Sequence, residues 1–217
     1  MSAPAEEPKI HRGLKDVYFE RSSTTFIDGK AGELRYRGYS IHDLAEHSTF
    51  EETAYLLLYG ELPTQSELQR FEHDLKRSRE LPPQIFDIIS DIQQAHPMDV
   101  LRTAVSALAA FDSETADNSR EATLRKGIRL TSQIPMIVAA HERIRNGLEP
   151  VSPDPALSHA ANFLWMLKGE RPSENAARLL DTDFVLHAEH GSNASSFTAR
   201  VVISTEANIH AAITAAI

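Results

Sequence analysis

The chain has 217 residues, 41% of them hydrophobic and 24% charged, enough for one large domain or two small ones. Its net charge is −9, with acidic and basic residues spread along the length, so nucleic acid and anionic membranes, which reward clustered cations, are not expected as main partners. Cysteine is absent, which excludes disulfides and thiolate metal sites.

The opening MSAPAEEPKIHRGLKD has no apolar segment of the secretory kind, and its two early glutamates disfavour a mitochondrial transit peptide. No run approaches the roughly 18 apolar residues of a membrane span, so cytoplasmic placement is expected. Residues 1–15, polar and with two prolines, read as a mobile arm, and residues 16–217 as one continuous helical domain without repeats or linkers. A small β element is expected near residues 24–39, where Asp28-Gly29 sits between β-prone stretches as a hairpin signal.

From Ile41 the apolar spacing is helical. Thr49 with Glu52, and Thr64 with Glu67, have the three-residue spacing of capping boxes, with Gly60 as a stop between them. Leu68, Phe71 and Leu75 fall on one face, as do Ile85, Ile88, Ile89 and Ile92 after Pro82-Pro83. Pro97 suits the first turn of a helix rich in small residues (Ala104, Ser106, Ala107, Ala109, Ala110), expected deep in the bundle or at a subunit contact. A long helix from about Arg120 to Asn146 is expected to kink or break at Pro135. Another is expected to begin at Asp154-Pro155 and stop at Gly169. The next, capped by Ser173, is expected to run to Leu180, and two buried helices follow Thr182. Outside any motif, His96 is read as a cap or contact, Trp165 as core, and His210 as a core or surface residue. Arg35 and Arg37 are read as solvated or paired, and Asp99 with Arg102 as a helix-face pair.

The most informative stretch is LHAEHGSNASSFTARV, residues 186–201. If it stays helical, His187, His190 and Asn193 lie three apart on one face, flanked by Phe184, Leu186, Phe197 and Val201. Polar groups placed beside core need partners. Spacing alone leaves three readings open: core histidines satisfied by the protein, a metal site, or recognition of a small anion or carbonyl compound. The metal reading suffers from the lack of i, i+4 spacing and of a nearby third ligand.

HAEHGSNASSFTARV resembles the oxaloacetate-binding segment of the citrate synthase family, whose bacterial members read close to H-A-[DE]-H-x-x-N-A-S-T-F. Further resemblances lie in the family's order: IDGKAGELRYRGYSIHDLA followed by FEETAYLLLYGELPT, then HPMDVLRTAVSAL, then SHAANFLWMLKGERPS. The resemblance implies an all-α, multi-helical bundle of the citrate synthase large-domain type, a homodimer or higher homo-oligomer, and oxaloacetate and acetyl-CoA as substrates, with no cofactor or metal. It gives His190 the role of hydrogen-bonding bound oxaloacetate, Asn193 the neighbouring polar position, and His187 the first histidine of the motif. Tyrosine often stands at the His187 position in sequences resembling the 2-methylcitrate branch, which tilts the reading toward citrate. Ser196 stands where threonine is more usual.

In the family, the segment matching IHAAITAAI precedes a loop bearing H-G-G-A-N, then a second catalytic histidine, the aspartate base and the carboxylate-binding arginines. These positions lie beyond Ile217. The reaction needs a base to remove a proton α to a thioester, a donor for the developing enolate, and a polarised ketone. The 217 residues offer only the grip on the ketoacid, so the polypeptide alone is expected to be inactive; a 2-methylcitrate synthase and a non-catalytic truncated assembly module are the alternatives.

Overall fold

The computed structural model describes residues 21–217. The expected mobile arm at residues 1–15 lies outside them. Three short strands, β1 (Thr25–Asp28), β2 (Glu33–Tyr36) and β3 (Tyr39–Ser40), form an antiparallel meander in the order β1-β2-β3. Asp28 turns the chain between β1 and β2, its Oδ1 accepting from the backbone N–H groups of Lys30 (2.9 Å) and Ala31 (3.1 Å). Between β2 and β3 the two turn residues, Arg37 (φ 49°) and Gly38 (φ 92°), are both left-handed, as a tight hairpin of matching twist requires.

Ten helices follow among the described residues: α1 (Ile41–His47), α2 (Phe50–Tyr59), α3 (Gln65–Arg77), α4 (Pro83–Asp91), α5 (Pro97–Leu108), α6 (Arg120–Arg145), α7 (His159–Lys168), α8 (Glu174–His187), α9 (Ala194–Ile203) and α10 (Ile209–Ala216). The all-α expectation with one small sheet holds. Both capping boxes form: Glu52 accepts from the Thr49 N–H (2.8 Å), and Glu67 from the Thr64 N–H (2.8 Å). Gly60 ends α2 at φ 100°, a conformation that a side chain would strain. His96 caps α5, its Nδ1 accepting from the Met98 N–H.

The main core lies where α4, α5, α6 and α7 meet, with Ile85, Ile89, Val100, Ala104, Val105 and Ile137 almost fully buried. A second, smaller core joins the sheet to α1, α2 and α8 through Tyr36, Ile41, Leu44, Leu56 and Val185. In β2, Leu34 and Tyr36 share the inward face, as the period of two dictates.

Four expectations are corrected. Helix α6 runs unbroken through Pro135, because Leu130, Met136 and Ile137 on either side are buried in the main core and hold the helix across one missing N–H. Helix α7 begins at His159, not at Asp154-Pro155. The Asp154 carboxylate instead accepts from the Ala156 N–H in a local turn, and Ser158 supplies the cap. Helix α8 continues past Leu180 to His187, with Val185 buried. Of the two helices expected to be buried after Thr182, α10 buries His210 and Ala212, but α9 has no buried residue. In α5, Ala104 is buried while Ser106 is exposed, so the small residues do not all face inward.

Candidate substrate-binding loop

The three candidate residues do not share a helix face. Helix α8 stops at His187, Gly191 turns the chain at φ 71°, and Asn193 starts α9 as its cap. The i, i+3 arithmetic assumed one continuous rod. A left-handed glycine and a capping asparagine break it into helix, loop and helix. His187 therefore sits at the end of α8, His190 in the loop and Asn193 at the start of α9.

Each has a distinct environment. His187 is exposed, and its Nδ1 lies 2.9 Å from the Asp183 carbonyl oxygen and 3.4 Å from the Asp183 carboxylate, one helical turn back. His190 is exposed in the loop. Asn193 uses its side-chain oxygen to accept from the Ser196 N–H (2.9 Å), while its own N–H donates to Ser196 Oγ (3.0 Å). Its carboxamide NH₂ is left to donate outward, at the end of α9 that carries partial positive charge. An imidazole, an amide donor and a helix N-terminus on one loop suit a carboxylate or a keto oxygen.

The loop rests on the β-sheet. Tyr36, fully buried, donates its hydroxyl to the Leu186 carbonyl (3.0 Å) and accepts from the Glu189 N–H (3.3 Å). Glu189 in turn accepts from the Gly191 N–H (2.7 Å). A Cβ at Gly191 would lie 3.3 Å from Ile27 Cδ1, so β1 also approaches the loop closely. Burial holds the Tyr36 phenol above its usual pKa, and the hydroxyl keeps its proton. Sequence reasoning missed Tyr36. The alternation of Leu34 and Tyr36 toward one face was the available signal.

Other polar groups are buried away from this loop. Glu51 accepts from the His159 N–H (2.7 Å) at the start of α7, and burial raises its pKa. Burial, with Arg79 nearby, lowers the His159 pKa to about 4. The Arg79 guanidinium donates to the carbonyls of Asp154 and Leu157. Lys126, wholly buried, donates to the carbonyls of Glu114 and Asp117, and His210 Nε2 lies 3.5 Å from Asp112, which Arg129 also holds. All these groups bind loops to helices. The expected pair Asp99–Arg102 forms, Arg35 pairs with Glu33, and Trp165 donates to the Ser152 carbonyl at the edge of the main core.

A mostly apolar cleft of about 600 Å³ lies among α5, α6 and α7, lined by Met98, Leu101, Ile137 and Phe163. Two further clefts of about 410 and 190 Å³ share Arg129 and Gln133. His187, His190 and Asn193 line none of these three. No group of three or more His, Cys, Asp or Glu among the described residues could hold a metal ion. None of the described helices is long and apolar enough to cross a membrane.

Comparison with known proteins covers most of the chain. The family described as "Citrate synthase, C-terminal domain" matches residues 13–217. A citrate synthase of Haloferax volcanii is 45% identical over 215 residues, 96% of this chain and 56% of that protein. A 2-methylcitrate synthase of Mycobacterium tuberculosis is 40% identical over 100% of this chain and 56% of its own length. The crystal structure of citrate synthase from Pyrobaculum aerophilum superposes with a TM-score of 0.90 at 40% identity, covering 94% of this chain and 53% of that one. That of Thermoplasma acidophilum, a ternary complex with carboxymethyl coenzyme A and oxaloacetate, gives 0.88 at 27% identity, covering 94% and 54%. The chain spans about half the length of these relatives. With the motif segments in order, a matching helical fold and this identity along nearly the whole sequence, the chain belongs to the citrate synthase family.

Proposed function

We propose that the α8–α9 loop is the oxaloacetate-binding element of a citrate synthase, the enzyme that condenses oxaloacetate with acetyl-CoA to give citrate. The observation that carries this reading is the placement of His190 on an exposed loop between a helix end and a capped helix start, in the family's motif. His190 donates to the ketoacid, the Asn193 amide and the first turn of α9 take part of its negative charge, and His187 flanks them. The ternary complex of the Thermoplasma relative supports oxaloacetate as the ligand and a coenzyme A thioester as the second substrate. A homodimer in the cytoplasm, with no cofactor, belongs to the same proposal.

The 217 residues contain no H-G-G-A-N segment. Loss of a general base alone costs a factor of about 10² to 10⁴, and loss of the enolate donor and carboxylate clamps multiplies that. The polypeptide therefore binds ketoacid without turning it over. One or two charge-assisted hydrogen bonds correspond to a Kd on the order of millimolar. Equilibrium dialysis with oxaloacetate tests this: binding is expected in the wild type and at least about tenfold weaker in His190→Ala. Equal binding by the two, or thiol release from acetyl-CoA above background, overturns the proposal.

The 2-methylcitrate reading stands second, supported by the Mycobacterium relative at 40% identity. Histidine rather than tyrosine at position 187 favours citrate.

A further inference from the structure

We propose that Tyr36 is a positioning residue for the ketoacid-binding loop: its single buried hydroxyl fixes where α8 stops and how His190 is presented. The inference rests on the oxaloacetate reading for its function, but its geometry stands independently.

A helix leaves its last four carbonyls without partners inside the helix. Leu186 holds one of them, at the penultimate residue of α8, and Tyr36 donates to it from 150 positions earlier in the chain. The Tyr36 hydroxyl oxygen also accepts from the Glu189 N–H, in the first stretch of the loop. One hydroxyl thus meets the last turn of α8 and the loop that follows it. His187 adjoins the first bonded residue and His190 the second. Glu189 then carries the constraint forward by accepting from the Gly191 N–H, and Ile27 of the same sheet bounds Gly191 from outside.

The hydroxyl is itself held in place. The Tyr36 ring is buried against Ile41, Leu44, Leu56 and Val185, so it does not swing away. The backbone beside it is pinned by Arg37, whose N–H donates to the Thr24 carbonyl (2.8 Å) and whose guanidinium donates to the Leu57 carbonyl (3.3 Å). A loop with little burial of its own is thereby ordered from a rigid platform, as a binding element must be if its geometry is to be set before the ligand arrives. The three-stranded sheet, otherwise a minor ornament on a helical protein, becomes the template for the loop.

Tyr36→Phe keeps the ring in the core and removes only the oxygen. In the 217-residue polypeptide, amide hydrogen exchange at Glu189 is expected to rise at least about tenfold, while exchange at Ile137 and Met166 in the main core stays unchanged. Oxaloacetate affinity is expected to fall about three- to tenfold, as loss of preorganisation requires. Unchanged exchange at Glu189, or a rise matched throughout the core, overturns the positioning role. If wild-type protein fails to bind oxaloacetate, the ligand assignment falls, and the exchange data still decide whether Tyr36 sets the loop.

Discussion

The α4–α7 bundle and the sheet–α8–α9 end of the molecule are built on opposite economies. The bundle buries long aliphatic side chains to completion, Ile85, Ile89, Val100 and Val105 among them. Helix α9 is nearly as apolar in sequence, yet buries no residue and leaves Val201 and Ile203 almost half exposed. Order in the bundle comes from packing. In the α8–α9 loop Ala188 touches the smaller core and Ile27 bounds Gly191, but the rest of the order comes from a few polar contacts: the Tyr36 hydroxyl, the Asn193 capping box and the Glu189 carboxylate. Packing gives stability without presenting chemistry, whereas polar bracing presents side chains to solvent at little cost in core.

That contrast can be broken most forcefully by truncation. Ile89→Ala is expected to cost about 2–5 kcal/mol in urea unfolding, because it empties a filled site. Ile203→Ala is expected to stay within about 0.5 kcal/mol. Equal costs would abolish the distinction.

Next in size is the acid response of the buried polar groups at the bundle's edge. His159 has a folded pKa of about 4 against an ordinary 6.5, so below pH 6.5 the unfolded chain binds the proton first. Its contribution to stability is present above pH 6.5 and is lost as pH falls through about 4, a change of about 3 kcal/mol. Glu51 and Asp181, raised by burial, act in the opposite sense as pH falls. The isolated effect of His159 is therefore read by comparison with His159→Phe, which retains a ring to stack on Phe50. Between pH 7 and pH 4 the wild type is expected to lose about 3 kcal/mol more than the variant in parallel urea titrations. Identical slopes would contradict the assignment.

Gly191→Ala sharpens the comparison from the loop side. The added Cβ meets both a left-handed φ and Ile27, and about 1–2 kcal/mol is expected, concentrated in faster local exchange at residues 188–193. The smallest effect is at a cap: Thr64→Ala is expected to cost about 1 kcal/mol by thermal unfolding.

Local features of this fold were legible in the sequence, because both halves of each signal lie within a turn of each other. The two Thr–Glu capping boxes, the Gly60 and Gly169 stops and Pro97 in a first turn are of this kind. The start of α7 was misplaced because Asp154 can cap a turn as readily as a helix. The break expected at Pro135 did not form for the opposite reason: packing in the main core overrode a local preference. The site was legible as a motif but not as geometry, since a helical spacing of three cannot foresee a glycine taking a positive φ between His190 and Asn193. Tyr36 was hardest to read. Its partners lie 150 and 153 positions away, and no periodicity records which carbonyl a buried phenol will find.

The most direct measurement is a side-chain-resolved NMR titration of the polypeptide with oxaloacetate. The account predicts saturable shifts of the His190 imidazole and the Asn193 carboxamide, smaller ones at His187, and none at His96 or His141. A titration in which His190 stays still, or in which His96 moves with it, would contradict the claim that the braced α8–α9 loop holds the ketoacid.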